Sequence, residues 1–163
     1  MKMKKQIEVE TNTGVKFLVD LEDLHVVGDH KWHIAGPGYI GRRCKWSRKT
    51  IYLHREIMSN PKGVEIDHIN KDKKDNRKSN LRKANRKENS RNAIKWQVPT
   101  SSPYKGVSRR TGYNKWRSYI RVDDKQIHLG YYDIAVEAAL VYDKAAIKYF
   151  GKFAGLNFPN GAR

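Results

Sequence analysis

The chain has 163 residues, with 34 Lys and Arg against 17 Asp and Glu, a net charge of +17, and 38% hydrophobic residues. That suffices for one or two small domains but not for one large core, and a single cysteine, Cys44, excludes an internal disulfide. No apolar run approaches the roughly 18 residues of a membrane span, and Met1-Lys2-Met3-Lys4-Lys5 leads into no apolar signal core, so a soluble, cytoplasmic protein without a membrane partner is expected.

A positive excess of this size points to a polyanionic partner, most often nucleic acid. The charge is concentrated: residues 71–95 hold eleven basic and three acidic residues, a net of +8. On charge alone, a solvated basic tail or a ribosome-associated RNA binder would look the same.

Residues 1–53 read as a β-rich N-terminal region. Residues 6–10 and 15–19 are β-type runs around a turn at Asn12-Thr13-Gly14, and residues 20–28 suggest a helical turn. A second hairpin is expected where Trp32, Ile34, Tyr39 and Ile40 flank Gly36-Pro37-Gly38, with residues 51–53 adding a strand. The spacing of His25, His30 and His33 fits no standard metal pattern. Arg42, Arg43, Lys45, Arg48 and Lys49 read as a backbone-contacting face.

Residues 54–58 begin a short helix that Asn60-Pro61-Lys62-Gly63 stops. Val64-Glu65-Ile66-Asp67-His68-Ile69-Asn70 follows, a short apolar strand ending in an Asp-His pair. Asn80-Leu81 opens a second strand after eleven intervening residues, and Asn89 comes after eight more. Asn85-Arg86-Lys87-Glu88 has the form of a helix N-cap with an acid three residues on, which starts a helix at Asn85 and places Asn89 just inside it.

This spacing, with the Asp75-Asn76-Arg77 turn, Asn80-Leu81-Arg82, Glu88-Asn89-Ser90-Arg91-Asn92 and the upstream Leu53-His54-Arg55, resembles the HNH endonuclease family of ββα-metal type, in its homing (phage and intron) branch. The final position is Asn rather than His, and the single cysteine excludes the cysteine-stapled zinc variants. The resemblance implies a nuclease module over residues 54–96. In it His68 is the general base and Asp67 and Asn89 hold one divalent metal ion, Mg²⁺ or Mn²⁺. Asn80 is expected to hold the His68 loop and orient the imidazole, and Arg77, Arg82 and Arg91 are candidate phosphate clamps. Asp72, Asp75 and Glu88 read as surface or capping acids.

Residues 97–103, with Pro99, Thr100, Ser101, Ser102 and Pro103, read as a linker. Beyond it, residues 106–110, 115–122 and 125–129 read as three strands around turns at residues 111–114 and 123–124. Asp133 is expected to cap a helix that Gly151 ends, with Ala135, Ala138, Ala139, Tyr142, Ala146 and Tyr149 on one face. Its other side leaves a sheet face carrying Arg109 or Arg110, Arg117, Arg121 and His128.

Tyr104-Lys105-Gly106-Val107, Lys115-Trp116, Ile120-Arg121, His128-Leu129-Gly130-Tyr131-Tyr132, Tyr142-Asp143 and Leu156-Asn157-Phe158-Pro159 together resemble the plant AP-two/ERF (apetala/ethylene-response-factor) DNA-binding domain over residues 104–163. That family implies a sheet entering the major groove, with Lys105, Arg110 and Arg121 matching basic contacts. Ser108 stands where the family has Arg, and His128 where it has Trp.

The expected fold class is therefore α+β: a β-rich region leading into a ββα-metal module, then a three-stranded antiparallel sheet packed on one helix. The expected activity is hydrolysis of double-stranded DNA by a site-directed endonuclease. It is expected to be monomeric, without an obligate protein partner, to nick one strand, and to leave 5′-phosphate and 3′-hydroxyl ends. A catalytically silent DNA-binding regulator is the alternative.

Overall fold

The computed structural model describes residues 5–92, 101–109, 112 and 114–161. The chain divides into two compact units, residues 1–89 and 90–163. Among the described residues no helix is long and apolar enough to cross a membrane.

The first unit opens with the antiparallel hairpin β1 (Gln6–Glu10) and β2 (Lys16–Asp20). Its turn contains Gly14 at φ +80, and Thr11 Oγ1 accepts the Val15 amide at 3.0 Å. A 3-10 turn, Leu21–Asp23, and a one-turn helix, α1 (Leu24–Val27), follow. β3 (His33–Ala35), β4 (Tyr39–Arg43) and β5 (Thr50–Tyr52) form an antiparallel sheet with β4 in the middle. The chain then passes through α2 (Leu53–Ile57) to a second hairpin, β6 (Glu65–His68) and β7 (Leu81–Ala84), and to α3 (Arg86–Asn92).

The core of this unit is built from Phe17, Val19, Val27, Trp32, Ile40, Leu53, Ile57, Ile66 and Leu81. β2 and α2 give the core two side chains each and α1, β4, β6 and β7 one each, so the sheets are tied together mainly through these contacts. The buried Trp32 indole donates to the Val27 carbonyl at 3.0 Å, which satisfies its polar edge.

In the second unit β8 (Val107–Arg109), β9 (Trp116–Val122) and β10 (Lys125–Tyr132) form an antiparallel sheet with β9 central, and α4 (Ala135–Phe150) packs on one face. Ala138, Ala139 and Ala146 are fully buried there, and Ser118 Oγ donates to the Ala138 carbonyl at 2.8 Å. Small side chains on both partners allow this close approach. Asp143, buried on α4, accepts the Asn157 and Phe158 amides at 2.8 and 2.9 Å, while Asn157 pairs with both backbone groups of Lys105. Entry and exit segments are thus clasped to the helix.

Four expectations are corrected. Ile134, not Asp133, occupies the helix N-cap, with no side-chain cap bond, and the exposed Asp133 pairs with Lys115 at 3.0 Å. Tyr149 is exposed, and Asp143 and Ala145 take buried places on the inner face. β10 runs on to Tyr132, because a bulge between His128 and Gly130 lets the strand continue pairing with Trp116. The fourth is Asp75, which is buried rather than a surface acid.

Gly106 sits at φ +70, and an added Cβ would lie 2.0 Å from Tyr142 Cδ2. Gly106→Ala therefore combines backbone strain with overlap against a buried ring. A loss of at least about 2 kcal/mol is expected, read as a lower unfolding midpoint for the second unit in thermal or urea denaturation.

Candidate active site

Strand β6 alternates its side chains between the two faces of the hairpin, and the register sets what each one meets. Ile66 points into the core, while Glu65 and Asp67 share the other face. Asp67 lies directly across from Arg82 on β7, whose Nε and Nη2 both donate to Asp67 Oδ2, at 2.8 and 2.6 Å. Arg82, expected at a phosphate, is thus engaged with the carboxylate expected to hold metal.

Helix α3 starts with a reciprocal cap. The Glu88 amide donates to Asn85 Oδ1 at 2.9 Å, and the Asn85 amide donates to Glu88 Oε2 at 2.8 Å. One turn on, the Asn89 side-chain amide donates to Glu65. The side chains of Glu65, Asp67 and Asn89 are thereby brought to one face. Glu65 went unnoticed in the sequence; its place two residues before Asp67 on a strand was the signal that could have found it.

His68 ends β6 and is buried, with 4% exposure. Its Nε2 lies 3.4 Å from Asn76 Oδ1. Asn76, which is fully buried, is thus one partner of the ring. Asn80 closes the loop that follows His68: its Oδ1 accepts the Asn70 amide at 2.9 Å, its Nδ2 donates to the Asp75 carbonyl at 2.7 Å, and its carbonyl accepts the Ile69 amide at 2.8 Å. Asp75 anchors the same loop through Arg77 Nε and Nη2 at 2.7 and 2.6 Å and Asn70 Nδ2 at 2.9 Å. Arg77, another expected clamp, is committed to that carboxylate and to Gln6.

Against His68 pack the rings of His54, with centroids 5.1 Å apart, and Tyr39, at 5.8 Å; Tyr39 and His54 are themselves 5.0 Å apart. His54 is buried, and its Nδ1 has no hydrogen-bond partner. Burial, reinforced by His68 and Arg55, pushes the His54 imidazole down to about 3. Burial also lowers His68, against the opposing pull of the Asn76 contact and of Asp67, Asp72 and Asp75. Burial first, then the carboxylates of Asp67 and Glu65, raises the Tyr39 phenol. The pocket around His68 thus favours a neutral imidazole.

Glu65, Asp67 and Asn89 offer oxygen donors only, two of them carboxylates, which fits a hard divalent cation. Arg82 balances part of that negative charge. Elsewhere, Asp20, Glu22 and Asp23 converge on the β2 corner. Lys78 occupies that corner, with Nζ 2.6 Å from Asp23 and its amide donating to Asp20 at 2.9 Å. His25 Nδ1 contacts the Glu22 carbonyl and His30 packs on Trp32, so these two histidines serve local contacts.

In the second unit, register separates the expected contacts. Arg117, Tyr119 and Arg121 on β9 and Gln126, His128 and Tyr131 on β10 share the face opposite α4. Arg117 stacks on Tyr119 at 4.9 Å, and His128 lies 4.6 Å from Tyr131. Arg109 pairs across from Trp116, on the helix side, and donates to Asn114 at 2.7 Å. Lys105 Nζ donates to the Arg91 carbonyl, and Arg91 itself stacks on Phe150 at 4.6 Å. Arg110 lies outside the described residues.

Residues 59–91 match the HNH endonuclease family model. An uncharacterized HNH endonuclease of Acanthamoeba polyphaga mimivirus is 29% identical over 150 residues, 88% of this chain and 75% of its own length. APETALA2-like protein 2 of Oryza sativa subsp. indica is 50% identical over 60 residues, 36% of this chain. An AP2-like ethylene-responsive transcription factor of Arabidopsis thaliana is 48% identical over 63 residues, 37% of this chain. The chain spans only 13% of the length of these two plant relatives.

The depressed His54 imidazole has a stability consequence. Below its unfolded value near about 6.5 the unfolded chain binds more protons than the folded one, so stability falls with pH from there down to about 3, by at most about 1.4 kcal/mol per pH unit. His54→Gln, unable to titrate, should flatten that slope in urea unfolding between pH 6.5 and 4.

Proposed function

We propose that this chain, which carries an HNH endonuclease segment at residues 59–91 and similarity to plant APETALA2-like proteins over part of its length, is a metal-dependent DNA endonuclease of homing type. The observation that carries this reading is a buried His68, whose imidazole burial pushes toward the neutral form, following Asp67 on β6, with Asn89 of α3 joined to Glu65 of the same strand. A neutral imidazole is a base, and the adjacent oxygens form a hard-cation site.

Asn76 Oδ1 favours the tautomer with a proton on His68 Nε2, which leaves the Nδ1 lone pair to take a proton from the attacking water. Tyr39 and His54 wall the imidazole and keep bulk water from its ring faces. Asp67, Glu65 and Asn89 would hold one Mg²⁺ or Mn²⁺, which supplies charge stabilisation at the scissile phosphate when bound. Asp75 and Asn80 fix the loop that carries Asn76.

The exposed sheet face of the second unit, with Arg117, Arg121 and His128, is the proposed reader of the DNA major groove, supplying affinity and selectivity to a module that itself contacts phosphates. A monomer acting this way nicks one strand, leaving 5′-phosphate and 3′-hydroxyl ends.

Conversion of supercoiled plasmid to nicked or linear DNA with Mg²⁺ or Mn²⁺ tests the chemistry. His68→Ala should bind DNA and cut at least about 100-fold more slowly; equal cutting would remove His68 from the reaction. Arg117→Ala with Arg121→Ala should lower duplex affinity and relax sequence preference, by about 1–3 kcal/mol of discrimination per lost base contact; unchanged preference among cleaved sites would take these arginines off the bases.

A further inference from the structure

The turn joining β4 to β5 is absent from the proposed reaction, and it presents the most exposed aromatic side chain among the described residues. Trp46 is 91% exposed. Residues 41–50 contain Arg42, Arg43, Lys45, Arg48 and Lys49 and no acidic residue. An indole left in water on a charged turn is uncommon, and aromatic and basic side chains together form the chemistry that grips nucleic acid.

The turn is built to hold one shape. The Cys44 amide donates to the Lys49 carbonyl at 2.8 Å, the Arg48 amide to the Cys44 carbonyl at 3.0 Å, and Arg48 adopts φ +56. Trp46 is therefore presented on a fixed support. Beneath it lies a pocket of about 610 Å³ whose walls include Lys31, His33, Arg43, Lys45 and Trp46. Arg42 is the exception among the basic residues: it pairs with Glu56 at 2.7 Å and lies over Trp32, so it is spent on the fold.

Strand β4 connects this turn to the candidate active site. Alternation puts Tyr39, Gly41 and Arg43 on one face, with Gly41 paired to Tyr52 and Arg43 to Thr50. Tyr39 is the residue that packs on His68. Four strand steps from Tyr39 to Arg43 cover about 13 Å, which is about four base-pair steps of duplex. A duplex lying along this face with its scissile phosphate near His68 would pass the β4–β5 turn within half a helical turn.

We propose that the β4–β5 turn is a DNA wedge: Arg43, Lys45, Arg48 and Lys49 hold phosphates on the flank of the cleavage site, and the Trp46 indole inserts against a base step of double-stranded DNA. This rests on the endonuclease reading and adds a contact that the family and plant-like segments do not supply. Insertion unstacks one step and bends the duplex toward the protein, which seats the scissile phosphate. Because the indole is exposed, its removal leaves the core intact.

The test uses the full chain in EDTA, so that nothing is cut, with a fluorescein-labelled 30-base-pair duplex and a relaxed plasmid treated with a metal-independent topoisomerase. Wild type should bind the duplex and shift the plasmid linking number. Trp46→Ala should bind on the order of tenfold more weakly and lose the shift, and Trp46→Phe should keep most of both. Trp46→Ala that binds and unwinds as wild type does overturns the wedge alone. Wild type that binds no duplex overturns the endonuclease reading with it. A wild type that sediments as a dimer without DNA, and becomes a monomer on Trp46→Ala, would show the indole covered by a second copy and also overturn the wedge.

Discussion

The grip on the Asp75 carboxylate is the constraint on which the first unit depends. The loop between β6 and β7 is long and polar, its one apolar residue, Ile69, is exposed, and it would wander if left to solvent. Arg77 and Asn70 hold the carboxylate from the side, Asn80 holds its carbonyl, and the loop pairs with β2 through Leu18. The Leu18 amide donates to the Lys74 carbonyl, and the Asn76 amide to the Leu18 carbonyl. Asn76 is thereby pinned beneath the His68 ring. A buried ion pair costs desolvation that its attraction only partly repays, so its contribution is to placement more than to net stability.

That economy explains where the charge goes. Three arginines are engaged with carboxylates instead: Arg77 and Arg82, two of the motif's candidate clamps, with Asp75 and Asp67, and Arg42, from the N-terminal region, with Glu56. Other basic side chains stay outward, among them Arg43, Lys45, Arg48 and Lys49 at the β4–β5 turn and Arg121 on the sheet face opposite α4. The net +17 therefore serves two purposes, neutralising buried carboxylates around the site and coating the surfaces that would meet a polyanion.

Local features were legible in the sequence because local chemistry fixes them. The Asn85–Glu88 reciprocal cap, the Gly14 turn, the Asp123-Asp124 turn with both residues at positive φ, and Gly151 at the end of α4 are each decided within a few residues. Asp67 and His68 were singled out by spacing. What the sequence hid was what comes from elsewhere in the chain. Tyr39 and His54 reach His68 only because β4 and α2 fold against it, and the Asp75-Asn76-Arg77 turn, visible as a turn, did not announce that Asn76 would meet the His68 ring. Likewise Arg109 and Arg110 differ by one step, yet the register with Trp116 places Arg109 on the helix side, which no pattern in that short strand announces.

The central claim is that an unprotonated His68 imidazole takes a proton from water. Deleting the side chain leaves a buried hole of its own shape, so the most direct measurement is plasmid cleavage by His68→Gly with Mg²⁺ in the presence of added imidazole. The account predicts that imidazole restores cutting, and that the restored rate rises with pH as imidazole loses its proton. A wild type that cuts beside a folded, DNA-binding His68→Gly that imidazole never rescues, or that already cuts without it, would contradict the account.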